Sequence, residues 1–160
     1  MYYRRSGKQD DAVPAGLSYA ERNRSDLHAL ADNDPPAGLI GYRGKTPVGW
    51  VSLGPRQDYA RLERSPVMKA VDDQPVWSII CFVVPSAYRH QGVAHGLLDG
   101  AIAYAKKWGV SLLEAYPVDK SERSADDFVW FGVRSMFEKA GFEEVARRRP
   151  TRPVMRLQLR

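Results

Sequence analysis

Between Pro75 and Pro85 lies an almost unbroken apolar run, Val76-Trp77-Ser78-Ile79-Ile80-Cys81-Phe82-Val83-Val84. Its β-branched content and lack of alternation describe a strand covered on both faces, and Pro85 ends it. A sheet with material on either side is therefore the frame into which the other segments must fit. Immediately after it, Val93 to Trp108 reads as an amphipathic helix. Val93, Leu97, Ala101 and Ala105 form one i,i+4 line, with Ala94, Leu98 and Ile102 beside it. Lys106 and Lys107 suit the negative end of its dipole, and Gly109 is a C-terminal stop.

The flanking segments complete a mixed sheet. Residues 1–13 are polar and basic and read as an arm or a short first strand. Pro14 to Asn33 has helical spacing, with Leu17, Ala20, Leu27 and Leu30 roughly on one face, and Pro35-Pro36 stops it. Gly38 to Arg43 and Pro47 to Leu53 read as strands joined by a turn at Gly44-Lys45. Arg56 to Pro75 reads as a short helix and a loop. Leu112 to Tyr116 is a strand ended by Pro117. Ser124 with Asp127 resembles a helix start, and Val129, Val133, Phe137 and Ala140 carry that helix to Gly141. Two last strands follow, Glu144 to Arg148 and Val154 to Leu159. In the second, Met155, Leu157 and Leu159 share one face, with Arg156 and Gln158 on the other. The order predicts an α/β class (an α+β mixed sheet), and 160 residues suit one domain spanning 1–160.

Charge and cysteine content narrow the partners. The net charge is +5, with Arg147-Arg148-Arg149, Arg152, Arg156 and Arg160 near one end and Arg4, Arg5 and Lys8 near the other. Such balance favours anionic partners, but no aromatics are interleaved as in a nucleic-acid motif, so solvated basic edges are expected rather than a nucleic-acid site. No apolar run approaches the roughly 20 residues of a membrane span, and Met1-Tyr2-Tyr3-Arg4-Arg5 is followed by no apolar leader region. No membrane partner is expected, and a cytoplasmic location is. The single cysteine, Cys81, is expected to be a reduced thiol packed in the core. His28, His90 and His95 lack metal-ligand spacing, so no metal is expected.

The chemistry concentrates between Val83 and Leu98. A buried strand stops at Pro85, a short loop follows, and a helix opens near Gly92. A helix N-terminus offers unpaired N–H groups and a positive dipole, which together suit an anion. Gly92 lets backbone approach a phosphate, Ala94 and Gly96 are also small, and Arg89 adds a charge. Neither G-x-x-x-x-G-K-[ST] nor a full G-x-G-x-x-G is present, which excludes the P-loop and dinucleotide readings. Arg89-His90-Gln91-Gly92-Val93-Ala94 does resemble the R/Q-x-x-G-x-G/A signature of the GNAT superfamily of N-acetyltransferases. Phe137-Glu138-Lys139-Ala140-Gly141-Phe142 resembles that family's Y-E-K-x-G-F helix ending. The resemblance spans roughly Gly38 to Leu159.

The resemblance implies a GNAT-like central mixed β-sheet flanked by helices, acetyl-CoA (coenzyme A) as cofactor, and an amine of a small molecule or protein as acceptor. It implies that Val83 and Val84 offer backbone groups to the pantetheine arm, between strands 76–84 and 112–116 that splay apart. Gln91, Gly92, Val93 and Ala94, with Arg89 and His90, would bind the pyrophosphate. An amine would attack the acetyl carbonyl directly once a base removes its proton, and family members are often homodimers.

Two departures from the pattern stand out. The tyrosine that protonates the leaving thiolate in many members, and the asparagine seven residues before it, correspond here to Phe137 and Trp130. Another residue, or water, must then donate the proton, or the chain only binds acyl-CoA. Glu114 and Tyr116 are the catalytic candidates, because a period of two puts them on one face of a central strand. A Glu in such a position also suits a structural pairing with an arginine. Tyr59, Arg61 and Arg64 are candidates for the acceptor side, and Phe128, Trp130 and Phe131 for core, an apolar acceptor pocket or a dimer contact. The second departure is at the beginning, where only about a dozen residues precede the first helix although the family usually opens with a strand and a further helix. Three readings stay open: the enzyme, a silent acyl-CoA-binding module, and a basic nucleic-acid-binding protein.

Overall fold

The computed structural model describes residues 2–5, 12–119 and 130–160. The expected helix start at Ser124 and Asp127 lies outside the described residues, as do Phe128, Val129 and most of the expected N-terminal arm. Six strands form one sheet: β1 (Gly38–Arg43), β2 (Thr46–Pro55), β3 (Trp77–Val83), β4 (Leu112–Ala115), β5 (Glu143–Arg149) and β6 (Arg152–Gln158), in the order β1-β2-β3-β4-β6-β5. β3 and β4 are parallel, and every other neighbouring pair is antiparallel. The mixed sheet expected from the sequence is the observed one.

Among the described residues four α-helices accompany it: α1 (Tyr19–Ala31), α2 (Ala60–Glu63), α3 (Val93–Lys107) and α4 (Arg134–Lys139). α3 lies over β1 and β2 because two glycines make room for it. A Cβ on Gly49 would meet Leu97 Cδ1 at 2.9 Å and Val93 Cγ1 at 3.0 Å, and one on Gly41 would meet Leu97 Cδ2 at 3.1 Å. Leu97, Leu98, Ala101 and Ala105 bury the helix against Val51, Leu53, Ile79 and Phe82. The outer side of α3 is less constrained. At Gly96 an added methyl meets nothing within 4 Å, so Gly96→Ala should stabilise the ligand-free protein by about 0.5–1 kcal/mol in urea denaturation.

The opposite face of the sheet carries a second cluster, Tyr59, Leu62, Ile80, Tyr116, Phe131 and Val154. Its cover is the stretch expected to be a short helix and loop, here a 3-10 turn (Arg56–Asp58), α2 and the segment that follows. That cover explains one difference from the sequence reading. Arg156 does lie opposite Met155, but it is only 9% exposed, because this face is not left to solvent.

Two helices differ from expectation. α1 begins at Tyr19 rather than near Pro14, because Ser18 is its cap. Ser18 Oγ accepts from the Glu21 N–H (3.2 Å), and the Glu21 carboxylate accepts from the Ser18 N–H (2.8 Å). The expected apolar face of Leu17, Ala20, Leu27 and Leu30 does not join the core: no α1 residue is buried. Part of what holds α1 is Arg5, whose guanidinium donates to Asn23 Oδ1 (2.6 Å) and Asp26 Oδ2 (2.7 Å). α4 starts only at Arg134, with Val133 extended at its cap rather than inside the helix. Just before it, Gly132 at φ +74° makes way for Met136 Cε, 2.6 Å from where its Cβ would sit.

The C-terminal hairpin is tied to the segment that follows β4 by ion pairs. Arg147 spans Asp119 (2.7 Å) and Glu144 (2.6 Å), and Arg134 donates to Asp119 at 3.0 Å. These hydrogen bonds hold the carboxyls of Asp119 and Glu144 below their ordinary range. A carboxyl depressed in the folded state stabilises above its unfolded pKa of about 4 and loses that contribution as pH falls further. Stability should therefore stay level from about pH 7 to 5 and decline below about pH 4. Arg147→Met should flatten that decline in urea midpoints measured across pH.

Candidate active site

β3 and β4 separate as they run. Only Trp77↔Leu113, Ser78↔Glu114 and Ile79↔Ala115 are paired, so β3 from Ile80 onward has no β4 neighbour. Beyond β4 the chain turns to another partner: Val118 bridges Val133, its N–H donating to Gly132 O at 2.9 Å. On the other edge, β3 meets β2 with an extra residue. Leu53 pairs with Ile79 and Ser52 with Cys81, leaving Ile80 as a bulge at the point of separation. The bulge reverses the alternation. Ile80 and Cys81 both contribute to the Tyr59–Tyr116 cluster, and Phe82 returns to the α3 side.

The loop between β3 and α3 is shaped by two left-handed residues, His90 at φ +60° and Gly92 at φ +79°. Gly92 caps α3 without any side-chain hydrogen bond, so the first turn of a fifteen-residue helix presents its N–H groups outward. An added Cβ on Gly92 meets nothing within 4 Å, which leaves space above this turn. Arg89 Nε donates to Val84 O (3.1 Å). Gln91 Nε2 donates to Ala87 O (2.8 Å), and Gln91 Oε1 accepts from Arg43 Nη1 (2.9 Å), which staples the loop to β1.

A cavity of about 620 Å³ occupies the gap between the parted strands and this loop. Of the residues singled out in the sequence for the cofactor, Val83, Val84, Arg89, His90, Gly92, Val93 and Ala94 line it together. Gln91 does not line it; its side chain is spent on the staple. Met136, Val133 and Gly132 also line it and were not foreseen, because long-range contacts, the Val118–Val133 bridge among them, bring them across from β3. Cys81 sits in the wall, and burial pushes its thiol up, away from nucleophilic thiolate. Phe137 is fully buried, edge-on to Phe82 (6.1 Å) and Phe142 (5.1 Å), and forms no part of the wall.

The proposed catalytic pair lies elsewhere. Glu114 and Tyr116 are 0% exposed and do not line the cavity. Both Glu114 oxygens are engaged. Oε1 accepts from Arg56 Nη1 (3.1 Å) and Tyr116 Oη (2.6 Å), and Oε2 from Arg156 Nε (2.8 Å). Arg156 also grips Asp72 with both terminal nitrogens (2.6 and 2.9 Å), and Arg56 donates to Met68 O (2.9 Å). Tyr116 Oη contacts Ser78 Oγ at 2.9 Å, and burial together with the Glu114 charge pushes its phenol well up. This is a cross-brace that fastens the 56–72 segment to β4, the arginine-paired outcome foreseen for a Glu on a central strand. Tyr59 is similarly enclosed: it accepts from Arg4 Nη2 (2.9 Å), and burial pushes its phenol up to about 12. Tyr59, Arg61 and Arg64 do not line the cavity.

The basic C-terminus is largely consumed by internal contacts. Arg147 and Arg156 are paired as above, and Arg148 donates to the carbonyls of Lys69 (2.6 Å) and Ala70 (2.9 Å). Arg152 lies over the Phe131 ring at 5.1 Å. Among the described residues, no group of three or more His, Cys, Asp or Glu has the placement of a metal site. Nor is any helix among them long and apolar enough to cross a membrane.

Comparison with known proteins agrees with this geometry. No curated protein matches the sequence. Solved structures do. Ribosomal-protein-alanine N-acetyltransferase from Brucella melitensis is 19% identical, with a TM-score of 0.57 over 89% of this chain and 80% of its own. A GNAT-family protein from Desulfovibrio desulfuricans gives 16%, 0.55, 91% and 85% in the same order. PaiA N-acetyltransferase from Thermoplasma acidophilum, solved in complex with coenzyme A, gives 15%, 0.54, 88% and 72%. At such identities these likenesses establish the fold. Residues 9–142 match the family described as Acetyltransferase (GNAT) family, and with the parted strands, the bulge and the uncapped helix that follows them, the chain belongs to the GNAT acetyltransferase family.

Proposed function

We propose that this chain is an acetyl-CoA-dependent N-acetyltransferase, one domain over 1–160, acting on an amine of a small molecule or a protein. The observation that carries the reading is the open edge of β3 beside the uncapped first turn of α3, both facing one cavity. An extended pantetheine chain fits the unpaired edge at Val83 and Val84 as an added strand does, by main-chain hydrogen bonds. The pyrophosphate fits the N–H groups at Gly92, Val93 and Ala94, with Arg89 and His90 supplying positive and donor groups and Gln91 bracing the loop. When bound, acetyl-CoA supplies an acyl group activated as a thioester.

The bulge at Ile80–Cys81 frees backbone amides from the β2 ladder at the point where the strands part, and such an amide would polarise the acetyl carbonyl. The acceptor amine attacks directly. Its lone pair forms the C–N bond as the C–S bond breaks, and the proton released from nitrogen reaches the departing sulfur through solvent. Glu114 acts in this scheme as a positioning residue, since both its oxygens are held by arginines. Phe137 favours a second reading, a module that binds acyl-CoA without turnover, because no hydroxyl stands at that place. Release of free thiol from acetyl-CoA in the presence of a panel of primary amines separates the two. Amine-dependent release with a matching acetylated product supports the enzyme; saturable binding with no release from any amine supports the silent module.

A further inference from the structure

Ile80 is the residue of β3 that neither neighbouring strand holds. On the β2 side it is the extra residue between the Leu53↔Ile79 and Ser52↔Cys81 rungs. On the β4 side the ladder stops at Ile79↔Ala115, and the next rung of that register, Ile80 opposite Tyr116, is not made. A peptide outside both ladders has no strand partner to fix its direction. The amides at Ile80–Cys81 are nonetheless the ones that would polarise the acetyl carbonyl, and such donors act only when aimed in advance.

Side chains supply the hold that the ladders do not. Ile80 is 3% exposed and packs in the cluster of Tyr59, Leu62, Tyr116, Phe131 and Val154. Each tyrosine of that cluster carries its hydroxyl to a serine on a strand beside the bulge. Tyr116 Oη lies 2.9 Å from Ser78 Oγ, two residues before Ile80. Tyr59 Oη lies 3.2 Å from Ser52 Oγ, on the residue paired with Cys81. The Tyr116 contact has a fixed direction. Its single proton goes to Glu114 Oε1 (2.6 Å), and Arg56 Nη1 donates to its oxygen (2.6 Å). Ser78 Oγ must therefore be the donor to Tyr116, whose oxygen gives one bond and accepts two. Burial and the Glu114 charge push the phenol well up, so that proton stays in place at neutral pH.

This tie spans the place where the strands part. Tyr116 stands just past β4, at the first rung the strands fail to make, and its hydroxyl reaches back to β3 at a rung they do make. Main-chain pairing ends there, and the side-chain tie limits how far β3 can move from the chain beyond β4. A buried hydrogen-bonded network of this kind favours one arrangement over its neighbours.

We infer that Tyr116 and Ser78 are positioning residues for acetyl transfer, tying β3 to the chain beyond β4 so that the Ile80–Cys81 amides stay aimed at the thioester carbonyl. This rests on the acetyltransferase reading and adds to it the groups that aim its polarising amide. Neither side chain lines the cavity, so their loss alters the aim of the amide and not the grip on the cofactor at Val83, Val84 and the first turn of α3.

The test is NMR of acetyl-CoA isotopically labelled at the acetyl carbonyl carbon and bound to the full chain. Calorimetric affinity and the urea midpoint are measured on each protein. A hydrogen bond to the carbonyl oxygen draws electrons from the carbon, so wild type should move the signal downfield of free acetyl-CoA. Tyr116→Phe and Ser78→Ala should each lose most of that displacement with acetyl-CoA affinity unchanged. Asp72→Asn supplies the contrast. It weakens the grip of Arg156 on the 56–72 segment, so it should lower the urea midpoint and leave the bound signal at its wild-type position. Ser78→Ala keeps the bonds of Tyr116 to Glu114 and Arg56, and it decides the matter if Tyr116→Phe does not fold. A wild-type signal in either folded variant would overturn the assignment. So would an equal loss in Asp72→Asn, which would make the effect one of general loosening, or the absence of any displacement in wild type with acetyl-CoA bound. Failure of wild type to bind acetyl-CoA would instead overturn the acetyltransferase reading itself.

Discussion

Gly92→Glu should abolish acetyl-CoA binding in a protein whose sheet remains folded. Three effects act together. Gly92 sits at φ +79°, where an L-residue costs roughly 1–2 kcal/mol. The new side chain enters the space above the first turn of α3, where a glycine Cβ would now meet nothing. Its carboxylate then stands where the pyrophosphate would lie, and two unit charges about 4 Å apart repel by roughly 4 kcal/mol at an effective dielectric of about 20. With 1.4 kcal/mol per factor of ten, affinity should fall by about a hundredfold or more. Gly92→Ala separates the causes, since it keeps the strain and removes the charge, and its loss should be much smaller. Circular dichroism of both variants should match wild type, and calorimetric titration reads the affinities. An unchanged affinity in folded Gly92→Glu would remove the pyrophosphate from this turn.

The largest stability effect should come from Glu114→Ala. It removes the buried carboxylate that Arg56 and Arg156, 8% and 9% exposed, share, and leaves Arg56 only the carboxylate of Glu63 and Arg156 only that of Asp72, both on the more exposed side of the brace. Breaking a buried pair by removing one partner costs about 3–5 kcal/mol, a large part of the roughly 5–15 kcal/mol available to a domain. The Tyr116 hydroxyl, which also contacts Ser78 Oγ, loses its carboxylate acceptor in the same step. The urea midpoint should drop accordingly. A midpoint within experimental error of wild type would mean that the cross-brace contributes nothing net and that Glu114 is held for some other purpose. Acetyl-CoA affinity of whatever fraction stays folded should be little altered, because Glu114 does not touch the cavity.

How far the sequence carried the account differs from one part to another. The central strand, the helix after it and the glycine loop between them were legible because each is a local pattern: an apolar run between prolines, an i,i+4 line, a glycine before the first turn. The sheet class followed from them. What was not legible depends on contacts between distant segments. Pro14 opens the helical spacing, but Ser18 with Glu21 three residues later carries the capping signal that decides where the helix begins. The apolar spacing of α1 promised a buried face, but no residue of that helix is buried. Gln91 fits the signature in sequence, but its amide is spent on Ala87 and Arg43, and Arg43 lies on a strand nearly fifty positions away. The site followed the same division. Seven of the eight cofactor positions line one cavity, because they are consecutive along one strand end, loop and first helical turn. Glu114 and Tyr116 share a face as their spacing requires, but which arginines meet them is settled by the 56–72 segment and β6, and no local pattern reports that. Met136 and Val133 are brought to the cavity by contacts between distant segments, the Val118–Val133 bridge and the Phe82–Phe137 ring contact among them.

The central claim is that the opening between β3 and β4 and the first turn of α3 form one acetyl-CoA site. Calorimetric titration of the purified chain with acetyl-CoA, and with coenzyme A as a second titrant, tests it most directly. The account predicts saturable one-site binding of both. Absence of heat and of saturation with either titrant, in protein shown to be folded, would contradict it.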